Sequence, residues 1–326
     1  MIVVSTGCPA GIGPEVSIAA AARLKDVPKV LVGDERTLFE AAELVGVPSR
    51  RLRRLEDSRV DPRFIYILPA GPRLTPTDRK PGKPSKRAGA AQLMYIDVAY
   101  DLVRTGKGRA LVTGPVSKQC IARSGHVDAE HFRGHTEWLQ ARDGAASSVM
   151  CFASEKLVTS VVTTHIPLAD VPARLEAANV RGATLALAEL LLKLGRKNPL
   201  VAVCSLNPHA GEGELFGTEE RRAIVPGLRS AARTLRRRCR VEGPVGAETA
   251  YRMAAAGHYQ GVVAMYHDQA TIPMKLIAFG EAVNVTMGLS VARTSVDHGT
   301  AYDIAWQGVA SHDGMLQAMR LGARLA

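Results

Sequence analysis

Three of the nine histidines stand where an apolar run stops. His165 closes LVTSVVTTH, His209 follows LVAVCSLNP, and His267 follows GVVAMY. In α/β sheets ligands collect beyond the carboxyl ends of strands, so the three imidazoles share one topological position. Neutral imidazoles in that number suit Zn2+, Co2+, Ni2+ or Fe2+ and leave coordination positions open for a substrate. Ordinary hydrogen-bonded histidines would occupy the same places, and position alone leaves both readings standing. A helical H-E-x-x-H pair is absent. EHFRGHTEW spaces His131 and His135 one helical turn apart, but Gly134 between them weakens a helix. That stretch reads as a loop, with a new helix opening at His135–Thr136–Glu137.

Other polar groups fit the same kind of pocket. LNPHAGEGELFGTEE carries Asn207, His209 and Glu212 in a Gly-rich loop that is either a plain turn or a close approach to a ligand. Asp268 adjoins His267 and reads as its orienting partner or as a proton-transfer group, the first being favoured because metal-bound imidazoles need such a partner. Lys275 and Arg293 lie in strand-like apolar surroundings, where a buried cation requires an anion from the protein or from a ligand. RTSVDHGTAYDIA crowds Arg293, Asp297, His298, Gly299, Thr300 and Asp303 into one short segment. STGCPAGIGPE invites a phosphate-loop reading, yet it lacks G-x-G-x-x-G spacing and the Walker lysine, and Glu15 at the helix start would repel a phosphate.

The elements that must carry these groups alternate short β-branched runs with longer helical ones. Strands are expected at 1–5, 29–34, 64–69, 110–115, 261–267 and 282–290, a strand leading into a loop over 200–211, and a hairpin from SSVMCFAS and LVTSVVTTH. Helices are expected at 13–24, 35–46, 85–106 and 175–195, and at 218–238 with a break at Pro226–Gly227. TAYDIAWQG is expected to open a helical tail. The turn formers of TPTDRKPGKPSK make a lid or a surface connection. This alternation is that of an α/β fold with a mostly parallel sheet.

The 326 residues are 46% hydrophobic and 22% charged, which suits one large domain or two. No apolar run reaches membrane-spanning length. The opening MIVVSTGCPAG has no basic and apolar leader pattern, so a cytoplasmic location is expected. The five cysteines form no C-x-x-C, which favours reduced thiols. The net charge of +11 is concentrated in SRRLRRLEDSR (49–59) and RTLRRRCR (233–240). Aromatics make up 5% of the chain and none interleaves with the 233–240 run, so these read as solvated helix faces and not as a nucleic-acid platform. A basic balance favours a small anionic substrate.

Taken together, GCPAGIGPE, VTGPVSK, GHTEWL, TTHIPL, LNPHAGEGELFGTEE, YHDQATIPMK and NVTMGLSVARTSVDHGTAYDIA resemble the 4-hydroxythreonine-4-phosphate dehydrogenase family of pyridoxal phosphate biosynthesis, in the family's order and over essentially the whole chain. The resemblance implies a divalent metal (Zn, Co or Mg) held by His165, His209 and His267. It implies substrate contacts from His135, Thr136, Lys275, Asn284 and Arg293, and catalytic roles for Asp268 and Lys275. It implies an NAD or NADP site at Asp297, His298, Gly299 and Asp303. The implied fold is the two-domain α/β fold of isocitrate and isopropylmalate dehydrogenases, with a cleft between the domains. Residues 1–125 plus 286–326 would form the cofactor-side domain, and 126–285 the substrate, metal and dimerisation domain. The family is a homodimer with metal ligands shared across the subunit interface.

The reaction so implied is NAD(P)-dependent oxidation of 4-phosphohydroxy-L-threonine to a β-keto acid that decarboxylates to 3-amino-2-oxopropyl phosphate. Relatives that oxidise erythronate or threonate 4-phosphate, or a cis-dihydrodiol carboxylate, are the alternative. A non-catalytic basic protein binding nucleic acid is a third reading, but it leaves the strand-end histidines unexplained. Three positions depart from the family pattern: Cys8 stands for the usual Asp, Glu248 for the usual Asp, and AWQG for AGKG. These bear on substrate identity and on the choice between NAD and NADP.

Overall fold

The computed structural model describes residues 1–56 and 60–326, so the last three residues of the basic 49–59 stretch lie outside the described residues. The chain divides into two compact units, Met1–Ser147 with Leu289–Ala326, and Ser148–Gly288. Unit 1 opens with β1 (Ile2–Ser5), α1 (Gly13–Arg23), β2 (Lys29–Gly33), α2 (Glu35–Leu44), β3 (Leu52–Arg54), β4 (Ile65–Pro69), α3 (Lys86–Arg104), β5 (Ala110–Thr113), α4 (Lys118–Ala122) and α5 (His135–Asp143). Unit 2 runs β6 (Val149–Ala153), β7 (Val158–Thr163), α6 (Val171–Arg174), α7 (Ala177–Lys193), β8 (Leu200–Cys204), α8 (Val225–Leu235), β9 (Arg240–Val245), α9 (Ala247–Ala255), β10 (Gly261–Tyr266), α10 (His267–Ala278) and β11 (Val283–Met287). The chain returns to unit 1 with β12 (Ala292–Ser295) and α11 (Asp313–Leu325).

The strands of unit 1 follow the order β3-β4-β2-β1-β5-β12, and every pair is parallel. β1 is buried along its whole length, as a parallel strand covered on both faces must be. The chain leaves β1 for β2 on one side and takes up β5 on the other, so a topological switch point lies at β1 and β5. The core joins β1, β2 and β5 to the inner face of α3 through Val3, Val32, Leu111, Leu93, Ile96 and Tyr100.

Unit 2 follows the order β11-β6-β7-β10-β8-β9. β6 is antiparallel to both its neighbours, and the other pairs are parallel. The expected hairpin is thus β6–β7. The break expected at Pro226–Gly227 takes a specific form. A π-helical turn, Glu220–Ile224, runs straight into α8, and Pro226 sits in the first turn where its missing N–H costs nothing. Gly227 packs against α7, since a Cβ there would lie 2.7 Å from Cβ of Val180.

Several expectations are corrected. Residues 126–147 belong to unit 1 and not to the second domain, because Ala129, Phe132 and Leu139 bury in the unit 1 core and Trp138 Nε1 donates to Asp97 of α3 at 2.7 Å. Residues 286–288 complete β11 in unit 2. The strand expected to end at His267 ends at Tyr266, and α10 begins at once; Lys275 therefore sits on a helix, not beside a strand. The segment 300–308 is a series of turns, and the tail helix starts at Asp313. None of the described helices is long and apolar enough to cross a membrane. Arg233, Arg236, Arg237, Arg238 and Arg240 are exposed, as expected, but the helix face expected for them is cut short: α8 ends at Leu235, so Arg236–Arg238 lie in the turn after it and Arg240 opens β9.

Candidate active site

In unit 2, β7, β10 and β8 are adjacent parallel strands, so their carboxyl ends lie side by side. His165, His209 and His267 follow those three ends. The register pairs Tyr266 with Thr163, which places His267 and His165 next to one another. Their ring centroids are 5.8 Å apart. His267 Nδ1 lies 2.6 Å from Asp268 Oδ1. A neutral imidazole donating its Nδ1–H to that carboxylate turns its Nε2 lone pair outward. Gln269 ties the same corner together: its Oε1 accepts from Met265 N at 2.6 Å and its Nε2 donates to Ser205 O at 2.9 Å.

His209 shares a left-handed backbone with His165 (φ 53° and 55°), but it lies in a tight turn, Pro208–Gly211, where Ala210 (54°) and, just beyond, Glu212 (42°) are left-handed as well. L-residues in this region are strained, so the loop must be held from outside. Glu220, in the π-helical turn, does so: Oε1 accepts from Leu206 N and Asn207 N, both at 2.9 Å, and Oε2 accepts from Asn207 Nδ2 at 3.0 Å. Glu219 takes the other Asn207 amide hydrogen at 2.7 Å. Among the described residues of this single chain no three His, Cys, Asp or Glu side chains form a metal-sized group. The chain thus brings His165 and His267 together and leaves His209 outside the pair. Asn284, on β11, is half-buried, and its Oδ1 is enclosed with no hydrogen-bond partner among the described residues. Lys275 is exposed.

In unit 1 a second group forms around Arg293. The residue lies on β12 opposite Leu111 of β5 and is only 3% exposed. Its Nη1 donates to Thr136 Oγ1 at 3.1 Å and its Nη2 to Thr113 Oγ1 at 2.8 Å. Burial presses the guanidinium pKa down to about 10, against the pull of Glu137, and leaves it protonated at neutral pH. Thr136 and His135 start α5, as the sequence predicts. His135 Nε2 is enclosed without a hydrogen-bond partner among the described residues. Burial, then the positive charges of Arg293 and Lys118, hold the His135 pKa well below its ordinary value, so the ring is neutral. Gly134 makes room for this group, since a Cβ there would lie 2.7 Å from Glu137 Oε2 and 3.5 Å from Lys118 Nζ. Two cations, two hydroxyls, a neutral imidazole and the amino end of a helix, with the Glu137 carboxylate among them, form a donor-rich arrangement suited to an anion. Sequence reasoning missed Lys118 and Thr113 as members. The only signal was the GPVSK turn after β5, which quotes Lys118 without showing where it points.

The remaining sequence-predicted residues, Asp297, His298, Gly299 and Asp303, are exposed on the unit 1 segment between β12 and α11. Of the departures, Cys8 is fully buried with Sγ 3.4 Å from Tyr302 Oη, and Glu248 opens α9 and accepts from Thr249 Oγ1 at 2.8 Å.

Known proteins resemble the chain over its whole length. The family model for the pyridoxal phosphate biosynthetic protein PdxA matches residues 25–322. A 4-hydroxythreonine-4-phosphate dehydrogenase of Trichlorobacter lovleyi is 38% identical over 334 residues, covering 100% of this chain and 97% of its own. A D-threonate 4-phosphate dehydrogenase of Cupriavidus necator is 40% identical over 334 residues, with the same 100% and 97% coverage. The crystal structure of a 4-hydroxythreonine-4-phosphate dehydrogenase from Klebsiella pneumoniae superposes with a TM-score of 0.87 at 34% identity, covering 100% of this chain and 97% of that one. A match spanning nearly every residue, at this identity and with this agreement of backbone, makes the chain a member of the PdxA family.

Proposed function

We propose that the chain is an NAD(P)-dependent dehydrogenase of a small phosphorylated hydroxy acid, with 4-phosphohydroxy-L-threonine as the leading substrate. The hydroxyl carbon gives its hydride to the dinucleotide and the hydroxyl gives up its proton; the β-keto acid then loses CO2, and the carbon that bore it takes up a proton to leave 3-amino-2-oxopropyl phosphate. The observation that carries this reading is the Arg293 group: a buried guanidinium bonded to Thr136 and Thr113, with the Lys118 ammonium and a neutral His135 beside it and Glu137 as a neighbouring carboxylate, gathers donors suited to a phosphate at the start of α5.

Each group has a task in this reading. Arg293, Lys118 and Thr136 take the phosphate, and His135 donates or accepts at its edge. Lys275 and Asn284 are further candidate substrate contacts. Asp297, His298, Gly299 and Asp303 orient the dinucleotide, whose own chemistry carries the hydride. The donor set of unit 2 fits a divalent metal (Zn, Co or Mg) in part. His165 and His267 are adjacent, Asp268 fixes the tautomer that frees His267 Nε2, and His209 is the third candidate ligand. Such a cation, when bound, supplies positive charge that favours loss of the hydroxyl proton and steadies the charge that develops as CO2 departs. Asp268 holds the His267 ring in place throughout.

A homodimer accounts for the incomplete triad. On α10 the residues Asp268, Ile272, Lys275 and Leu276 share one exposed face, Phe279 follows directly after the helix, and Ile272, Leu276 and Phe279 are 59%, 82% and 84% exposed. An apolar stripe this open, next to His267, suits a second copy of the chain that completes the ligand set.

A D-threonate 4-phosphate dehydrogenase is the second reading, favoured by the 40% identical relative of that name. NADH and NADPH formation over 4-phosphohydroxy-L-threonine, erythronate 4-phosphate, threonate 4-phosphate and a cis-dihydrodiol dicarboxylate tests both. Turnover of a phosphorylated acid is expected, and Lys118→Met should raise KM for it about tenfold while sparing an unphosphorylated analogue. Absence of turnover on all four substrates, with metal supplied, would overturn the proposal.

A further inference from the structure

The segment 297–308 is fastened to the loop after β1 by a set of contacts that the reaction itself does not require. Glu15, in the first turn of α1, is 2% exposed, and both its oxygens are used: Oε1 accepts from Trp306 N at 2.9 Å and Oε2 from Gly308 N at 3.0 Å. Trp306 has φ +64°, a conformation that bulky L-residues avoid. Its indole Nε1 donates to Pro9 O at 2.9 Å, which keeps the side chain turned in towards the β1 loop. Further along, Ile12 N donates to Thr300 O at 3.0 Å and Cys8 Sγ meets Tyr302 Oη at 3.4 Å. Gly11 is needed where the two segments touch, since a Cβ there would lie 2.8 Å from Thr300 O. The underside of the segment is thereby nailed down. Asp297, His298, Gly299 and Asp303 stay exposed on it.

We propose that Glu15 and Trp306 are positioning residues: a carboxylate–indole clamp that holds the 297–308 segment in a preformed shape for dinucleotide binding. The inference rests on reading 297–303 as the dinucleotide site. An outlying backbone conformation secured by a buried carboxylate is the kind of strain that persists where a fixed geometry is used. Trp at this position, where the family pattern has Gly, trades backbone ease for an anchoring indole. A segment already in its bound shape loses less conformational freedom on binding, which strengthens affinity.

The test uses the full chain and two conservative variants. Glu15→Gln keeps the size and loses one acceptor. Trp306→Phe keeps the ring and loses the indole N–H. Amide hydrogen exchange over 297–308 and the Kd for NADH and NADPH, read by cofactor fluorescence, are measured in each, with the Kd for inorganic phosphate as a control on the Arg293 group. Faster exchange confined to 297–308, with dinucleotide Kd weakened about tenfold and phosphate Kd unchanged, is expected. Unchanged exchange in both variants would show that there is no clamp. Loosened exchange with unchanged dinucleotide Kd would show that the clamp does not serve that ligand. If wild type binds neither NADH nor NADPH while the exchange effect stands, the dinucleotide reading fails, and the positioning role for it with it. Should either variant lose its thermal transition, the other carries the comparison.

Discussion

At the scale of single residues the most constrained group is His135. Burial first, then Arg293 and Lys118, depress its pKa well below the ordinary 6.5. A histidine with a lowered folded-state pKa binds its proton more readily when unfolded. Stability is therefore intact above about pH 6.5 and is lost as pH falls from there towards the folded-state value. Urea unfolding of wild type and His135→Asn from about pH 7.5 to about pH 5.5 should show wild type losing stability faster than the variant. Parallel curves would mean that His135 is not held neutral. Part of this group was legible in the sequence: a helix opening at His135–Thr136 and an arginine in apolar surroundings were read from the residues, while their place in one substrate group was implied by the family resemblance. That all of them meet, and that Lys118 and Thr113 join them, was not legible, because the meeting depends on β12 lying next to β5 across a long stretch of chain.

At the scale of elements the sequence was most readable where local preference and final packing agree. The β-branched runs became β1, β2, β5, β8 and β10, and the 3.6-residue spacing became α1, α2, α3 and α7. It failed where tertiary contacts decide. The polar string His267–Asp268–Gln269 and Pro273 hid α10, which forms because Gln269 bridges β10 and β8 and because the helix buries Ala270 and Met274. TAYDIAWQG has a helical composition but is bent into turns by Glu15. β9 reads RVEGPV, polar and broken by Gly–Pro, as an edge strand can be. The loop carrying His209 is a sharper case. The entry to its left-handed residues is held by Glu220, so Glu220→Ala leaves the amides of Leu206 and Asn207 without their acceptor. A loss of about 2–4 kcal/mol in unfolding free energy is expected. Glu220→Gln, which keeps an acceptor oxygen, should lose less than half of that in urea titrations. Equal losses in the two variants would place the role of Glu220 in its charge and not in its acceptor geometry.

At the scale of the whole molecule the question is how many copies make a working site. A single chain pairs His165 with His267 and leaves His209 apart, while α10 and the residue after it offer solvent Ile272, Leu276 and Phe279 in the stretch that also carries His267 and Lys275. Exposed apolar side chains of this size at helical spacing are stabilised only when something covers them. If the cover is a second copy and it completes the ligand set, association and metal affinity must be linked: whatever separates the chains weakens the metal, and removing the metal weakens the pair. Leu276→Glu places a charge on the stripe without touching a histidine. Sedimentation equilibrium should then show wild type as a dimer and the variant as a monomer, and zinc binding by calorimetry should be at least tenfold weaker in the variant. A chelator should in turn shift wild type towards monomer at low concentration. A wild-type monomer, or a dissociated variant that still holds zinc at wild-type affinity, would show that one chain assembles the site by itself, with the His209 loop closing onto the pair.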